Sequence, residues 1–193
     1  MLLNAPDASP DVIADLVIGL YKKYGDADYI GEPVSQLEHM YQCAVIAAEE
    51  QEDEEVILAA FFHDLGHFCE HFMEVQQMDA YGVVDHEGLG ADFLLQYGFS
   101  EKIASLVRNH VQAKRYLTFH YPSYYESLSE ASKHTLEFQG GVMSEQEAKN
   151  FEADEWFDMH IRLRFWDEQA KVENTPLPEL SKYKAMALRH LVS

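Results

Sequence analysis

The sequence predicts an all-α fold, on three observations. Apolar residues recur at helical spacing along most of the chain. Capping residues stand just ahead of those stretches, and glycine or proline stands where they stop. No segment makes a convincing strand, and there is no internal repeat or low-complexity run.

The elements follow in order. Ser9-Pro10-Asp11 supplies a capping residue, a first-turn proline and an acid suited to the helix dipole. Val12, Leu16, Val17 and Leu20 then recur at helical spacing until Gly25, and Asp26 to Glu32 reads as a loop. Pro33 opens a second helix with Leu37, Met40, Ala44, Val45 and Ala48 on its buried side. Asp53 caps a third, Glu54 to about Leu65, and a looser segment follows through Gly82. Asp85 to Tyr97 is helical and stops at Gly98. Ser100 caps the next helix, which carries Ile103, Leu106 and Val107 on to His110 and Lys114. Tyr116 to Tyr125 is aromatic and reads as irregular, with Pro122 inside it. Ser129 starts a short helix through Leu136, closed by Gly140-Gly141. Ser144-Glu145-Gln146-Glu147 is a capping box, and a long helix or a broken pair runs from it to about Lys171. Thr175 to Pro178 is a linker and Glu179 to Val192 a closing helix.

At 193 residues and 47% hydrophobic content, the chain suits a single domain over 1–193. Its core lies at about 28–171, with the first and last helices packed on it. No stretch is long and apolar enough for a transmembrane helix, and Met1 to Pro10 lacks the pattern of a signal peptide. Cys43 and Cys69 sit in apolar helical contexts, which fits a reducing cytoplasm better than a disulfide framework. With 14 Lys and Arg against 34 Asp and Glu, the net charge is −20. That argues against nucleic acid and anionic membrane as partners, and no protein partner is evident. An anionic substrate would have to be caught by a local cluster of cations.

The informative stretch is Leu58 to His67, an apolar helix that ends in His63-Asp64 with His67 one turn further on. A buried carboxylate and imidazole are costly unless paired or bound to metal. The alternative is a helix end with an ionisable cap. Four more candidates, His39, His86, His110 and Asp167, fall on different expected helices, and a bundle can bring such residues together. Taken singly, each histidine is as readily a core or boundary residue, and Asp167 can pair with Lys171 at i+4. Taken together, six N and O ligands with one possible bridge suit two ions about 3.5–4 Å apart. Imidazole with carboxylate suits iron, manganese or zinc. His71, His120, His134, His160 and His190 have no comparable setting and read as surface or structural residues.

The series His39, His63-Asp64, His86, His110, Asp167 resembles the dinuclear branch of the HD-domain superfamily, a helical bundle around a dinuclear metal site. Asp28-Tyr29-Ile30-Gly31-Glu32, Lys114-Arg115-Tyr116-Leu117 and Glu137-Phe138-Gln139-Gly140-Gly141 bring the resemblance close to the glycine-forming 2-amino-1-hydroxyethylphosphonate dioxygenases. Myo-inositol oxygenase is more distant. The resemblance implies a mixed-valent Fe(II)/Fe(III) pair held by those six residues. It also implies O2 and a small organophosphonate as substrates, and cleavage of the C–P bond to glycine and phosphate. It gives Tyr29 the role of a displaceable cap on one iron, with Glu32 as its partner. His67, Lys114, Ser132, Thr135, Gln139 and Arg164 become substrate-binding residues. Ordinary alternatives stand beside these: a solvated lysine, a helix-terminal histidine, a polar exposed face and a salt bridge. Pro33 departs from the pattern and would stiffen the loop junction. The aromatic run Phe119 to Tyr125 suits packing or surface better than a cage for a trimethylammonium group. Expected activities are therefore cleavage of 2-amino-1-hydroxyethylphosphonate, the same chemistry on its N-trimethylated analogue, or hydrolysis by a metal-dependent HD phosphohydrolase.

Overall fold

Four serines and one aspartate decide where half of the α-helices begin. Ser35, Asp53, Ser100, Ser129 and Ser144 each accept a hydrogen bond from the backbone N–H three residues on. The structure is a computed structural model and describes residues 8–29, 31–79, 81–176 and 179–193. Its helices are α1 (Pro10–Tyr24), α2 (Gln36–Glu49), α3 (Glu54–Phe62), a 3-10 helix (Leu65–His71), α4 (His86–Gln96), α5 (Glu101–His120), α6 (Pro122–Ser127), α7 (Glu130–Phe138), α8 (Glu145–Glu152), α9 (Phe157–Gln169) and α10 (Leu180–Leu191). Among the described residues there is no β-strand, only isolated bridges joining Asp28 to Ser35 and Gln77 to Val83. The all-α expectation holds. Ile30 of the loop motif, Leu177 and Pro178 of the linker, and residues 1–7 of the N-terminal reading lie outside the described residues.

Several boundaries differ from the sequence reading, each for a local reason. Helix α2 starts at Gln36 rather than at Pro33, because Ser35 and Glu38 form a reciprocal capping box. Helix α3 stops at Phe62. His63 is its C-cap, Asp64 leaves helical geometry at φ −101° and ψ 10°, and the supposed looser segment begins as a 3-10 helix. Helix α5 continues through Tyr116 to His120. Pro122 then starts α6 at its first turn, so the aromatic stretch is helical on both sides of Tyr121. The stretch after Ser144 is a broken pair, α8 and α9. Ser9 occupies the N-cap of α1 without a side-chain bond, and Val12 is exposed.

Every residue from Val56 to Phe62 is buried, so α3 is a core helix rather than an amphipathic one. Its Phe61 ring is sandwiched between Tyr21 of α1, at 4.4 Å, and Tyr183 of α10, at 4.0 Å. The Tyr21 hydroxyl also donates to the Phe61 carbonyl at 2.8 Å. The two terminal helices are thereby packed on the element that leads into His63-Asp64. On the other side, α5 runs against α3, α4 and α9. The two most distinctive sequence blocks meet there: Arg115 of α5 donates to the carbonyls of Gly141 at 2.9 Å and Gly140 at 3.4 Å. This fixes the end of α7.

Gly66 is the tightest point of the frame. A Cβ there would lie 1.8 Å from the His86 carbonyl oxygen and 2.9 Å from the Gly90 nitrogen. These are backbone atoms that cannot rotate away. Gly66→Ala should therefore cost roughly 3 kcal/mol, at the upper end of overpacking penalties, read as a shift in urea midpoint. Gly19→Ala, where a Cβ meets nothing within 4 Å, should be neutral or stabilising by up to about 1 kcal/mol.

A second expectation concerns pH. Glu147 accepts from the backbone and hydroxyl of Ser144 and from Arg115, and these bonds pull its carboxyl down to about 2. Its folded value is below the unfolded one. Its stabilisation is thus present above the unfolded carboxylate value of about 4.3 and lost as pH falls through about 2. Glu147→Gln should be less stable than the parent at neutral pH, and the gap should close in that acid window.

Candidate metal centre

Each histidine of the series is aimed by a backbone carbonyl. Nδ1 of His63 donates to Ala60 O at 2.9 Å, His86 to Val83 O at 3.2 Å and His110 to Val107 O at 2.7 Å, in each case three residues back. His39 instead uses Ala170 O, 2.8 Å away and 131 residues along the chain. A carbonyl only accepts, so all four Nδ1 atoms carry hydrogen and the four Nε2 atoms offer lone pairs.

Those Nε2 atoms converge in two pairs. His39 and His63 approach to 3.1 Å, and His86 and His110 to 3.2 Å. Asp64 lies between the pairs. Its Oδ2 is 3.5 Å from His39 and 3.4 Å from His63, while its Oδ1 is 3.2 Å from His86 and 3.3 Å from His110. Asp167 completes the first pair, with Oδ1 3.3 Å from His39 Nε2. All six residues are buried, and Asp64 Oδ2 has no hydrogen-bond partner. Lone pairs facing one another and a carboxylate at these distances require positive charge between them. Burial pushes the Asp64 carboxyl up, yet His63, His110 and His86 outweigh this and hold it well below the usual carboxylate range. Burial disfavours charge on His63, but Asp64 draws its pKa well above the usual imidazole value, so without metal a proton on its Nε2 supplies part of that positive charge. The donor set fits two metal ions. His39, His63, Asp64 and Asp167 would serve one, and His86, His110 and the other oxygen of Asp64 the second.

The remaining expected residues are placed as follows. Tyr29 lies flat on the His39 ring, at 4.2 Å and 13°. Burial and the two aspartates push its phenol well up, so it is protonated as drawn. Glu32 is not paired with Tyr29; it accepts from Ser129 Oγ at 2.6 Å and pairs with Lys171 at 2.8 Å. His67 stacks on His86 at 4.1 Å, and its Nδ1 accepts from the Val83 N–H, so its Nε2 is a donor rather than a ligand. Gly82, with a Cβ position 2.7 Å from His67 Nδ1, allows that approach. Lys114 is buried, and its Nζ donates to Thr135 Oγ1 at 3.0 Å. Burial, with Arg164 nearby, pulls its pKa down to about 7. A dianionic oxygen group beside it would restore its charge.

A cavity opens onto Asp64, His86 and His110, with Ser132, Thr135 and Gln139 on its wall. Arg164 also lines it, but its guanidinium is engaged by protein: Asp167 at 2.5 Å, Glu168, and the Tyr124 hydroxyl at 2.9 Å. It aims Asp167, as its place one turn before that residue allows. The Phe119 to Tyr125 run stays outside this cavity; Tyr121 and Tyr124 line a separate surface groove. Sequence reasoning passed over Gln42, Tyr124, Glu168 and Lys171. The Gln42 amide both donates to and accepts from the Val172 backbone, at 3.1 and 2.9 Å, and so steadies the segment whose Ala170 carbonyl aims His39.

The HD domain model matches residues 37–154. The chain is 42% identical over 175 residues to a protein of Acanthamoeba polyphaga mimivirus described as uncharacterized, covering 91% of this chain and 80% of that one. It is 39% identical over 190 residues to the glycine-betaine-forming [1-hydroxy-2-(trimethylamino)ethyl]phosphonate dioxygenase of Leisingera caerulea, covering 97% and 96%. It is 35% identical over 164 residues to the hydroxymethylphosphonate dioxygenase of Gimesia maris, covering 85% and 81%.

If Asp64 bridges two ions, Asp64→Ala should drop bound metal from two per chain to one or none and lower the melting temperature, because two under-ligated cations would then face each other. Metal analysis of anaerobically purified protein reads this. Retention of two ions would remove the bridging role.

Proposed function

The chain belongs to the HD-domain family, and on that premise we propose that it is a di-iron dioxygenase that cleaves the C–P bond of a 1-hydroxyphosphonate. The observation that carries the reading is the unequal number of donors at the two ends of the centre, since Asp167 joins the His39–His63 end alone. Among the described residues, four metal-facing donors surround the His39–His63 end and three the His86–His110 end, which faces the cavity; His67 lies close to His86 and Asp64 there but spends its Nδ1 on the Val83 N–H. That end has room for substrate oxygens. Lys114, one turn after His110, and His67, stacked on His86, offer donors beside it.

When bound, a mixed-valent iron pair would supply the redox chemistry and O2 activation. The overall reaction needs no external reductant: one oxygen atom enters the carboxylate product, the other enters phosphate, and the substrate carbon gives up the electrons. The chain's own residues position and neutralise. Lys114 would take up the phosphonate charge that a net charge of −20 cannot offset at a distance. Thr135 holds Lys114, Ser132 and Gln139 add polar groups to the wall, and Tyr29 with its loop covers the His39 end.

For the far end of the substrate, the unpartnered amide oxygens of Gln36 and Gln139, and the Asp28 carboxylate on the lining, support a group that donates hydrogen bonds. This favours 2-amino-1-hydroxyethylphosphonate, giving glycine. A second reading, the N-trimethylated compound, is favoured by the Leisingera caerulea relative and by Tyr29 and Tyr81 on the same lining.

Anaerobic purification with metal analysis, followed by O2 uptake and phosphate release over a panel of 1-hydroxyphosphonates, tests the reaction. Turnover of phosphomonoesters without O2 would replace it with hydrolysis. Direct competition of the two amines, read as a ratio of kcat/KM, decides the substituent. Lys114→Ala should retain both metals and raise KM by about tenfold or more, as expected for loss of a charge-assisted contact. An unchanged KM would take Lys114 out of the site.

A further inference from the structure

The loop that carries Tyr29 is a single hydrogen-bonded unit. Tyr29 N donates to Val34 O at 3.0 Å, and Glu32 N donates to Tyr29 O at 2.9 Å. Gly31 sits at φ +85° with its Cβ position 2.7 Å from Ala131 Cβ, so the backbone lies directly on α7. Whatever holds Glu32 therefore holds Tyr29 against His39.

Two groups hold Glu32. Ser129 Oγ accepts from Ser132 N as the cap of α7 and donates its hydrogen to Glu32 at 2.6 Å, and Lys171 adds an ion pair at 2.8 Å. This pair is largely withdrawn from solvent: the two side chains are 15% and 9% exposed. Lys171 also lies 3.7 Å from Glu168, whose other oxygen contacts Arg164, the residue that aims Asp167. One short stretch thus touches the His39 end three times. Asp167 approaches Nε2, the Ala170 carbonyl takes the Nδ1 hydrogen, and Lys171 fixes the loop above the ring.

We propose that Lys171 is a positioning residue of this site, acting through Glu32 to hold the Tyr29 loop over His39 and to join that loop to the helix end that presents Asp167. The inference rests on the functional reading above only in treating the His39 end as part of the reacting centre.

The test is amide hydrogen exchange over residues 26–34 in the metal-loaded protein without substrate, for the parent, Lys171→Met, Lys171→Arg, Glu32→Gln and the Lys171→Met/Glu32→Gln pair. Lys171→Met and Glu32→Gln should each speed exchange there by about tenfold, the usual scale for a lost hydrogen bond to a charged group. The double variant should be no faster than the faster single, Lys171→Arg should recover most of the protection, and α3 and α5 should be unchanged. Unchanged exchange in Lys171→Met, additive effects in the double variant, or faster exchange across the whole chain would each overturn the proposal. Because no substrate is present, a protein inert toward every hydroxyphosphonate would overturn the function and leave this result intact.

Discussion

One carboxylate between two pairs of imidazoles is the constraint on which the rest of the structure depends. Asp64 presents one oxygen to His39 and His63 and the other to His86 and His110, with no backbone donor to satisfy it. Such an arrangement is unfavourable in a dry interior unless cations are shared among the donors. It also coincides with the end of α3. Asp64 itself leaves helical geometry, at φ −101° and ψ 10°. The chain then changes to 3-10 geometry, and Gly66 lets it pass within backbone contact of α4.

The centre stands on a layered support. Carbonyls aim the imidazoles, Arg164 aims Asp167, and Gln42 steadies the turn that follows α9. Outside that, the Phe61 stack ties α1 and α10 to α3, while Arg115 ties α5 to the end of α7. The cavity takes its ligand-facing wall from α5 and α7 and its cover from the loop before α2. Helix α5 serves both the centre and the cavity, with His110 at the donor cluster and Lys114 on the wall, and the Lys114–Thr135 bond joins it to α7.

Most helix starts were legible because capping is local: Asp53, Ser100, Ser129 and Ser144 announce themselves within four residues, whereas Pro33 drew the start of α2 away from the Ser35 capping box. The six clustered donors were legible as residue types in order along the chain. What escaped was set by distant partners. The bond of Arg164 to Tyr124 spans 40 residues, and Lys171 looked like the i+4 mate of Asp167 although its mate is Glu32, 139 residues away. The continuation of α5 past Lys114 escaped for another reason. Its aromatic residues pack around Phe151 and Phe157, and that packing overrides their weak helix preference.

The carbonyl that aims His39 has a consequence for how the protein is made. Three of the four histidines find their carbonyl three residues away, so each can be oriented as soon as its own turn forms. His39 must wait for Ala170, and that residue's turn is steadied only once Gln42 meets Val172. During synthesis the His86–His110 end is complete long before the His39–Asp167 end can exist. A chain stopped short of Ala170 would lack the carbonyl that aims His39 while keeping those that aim the other three histidines.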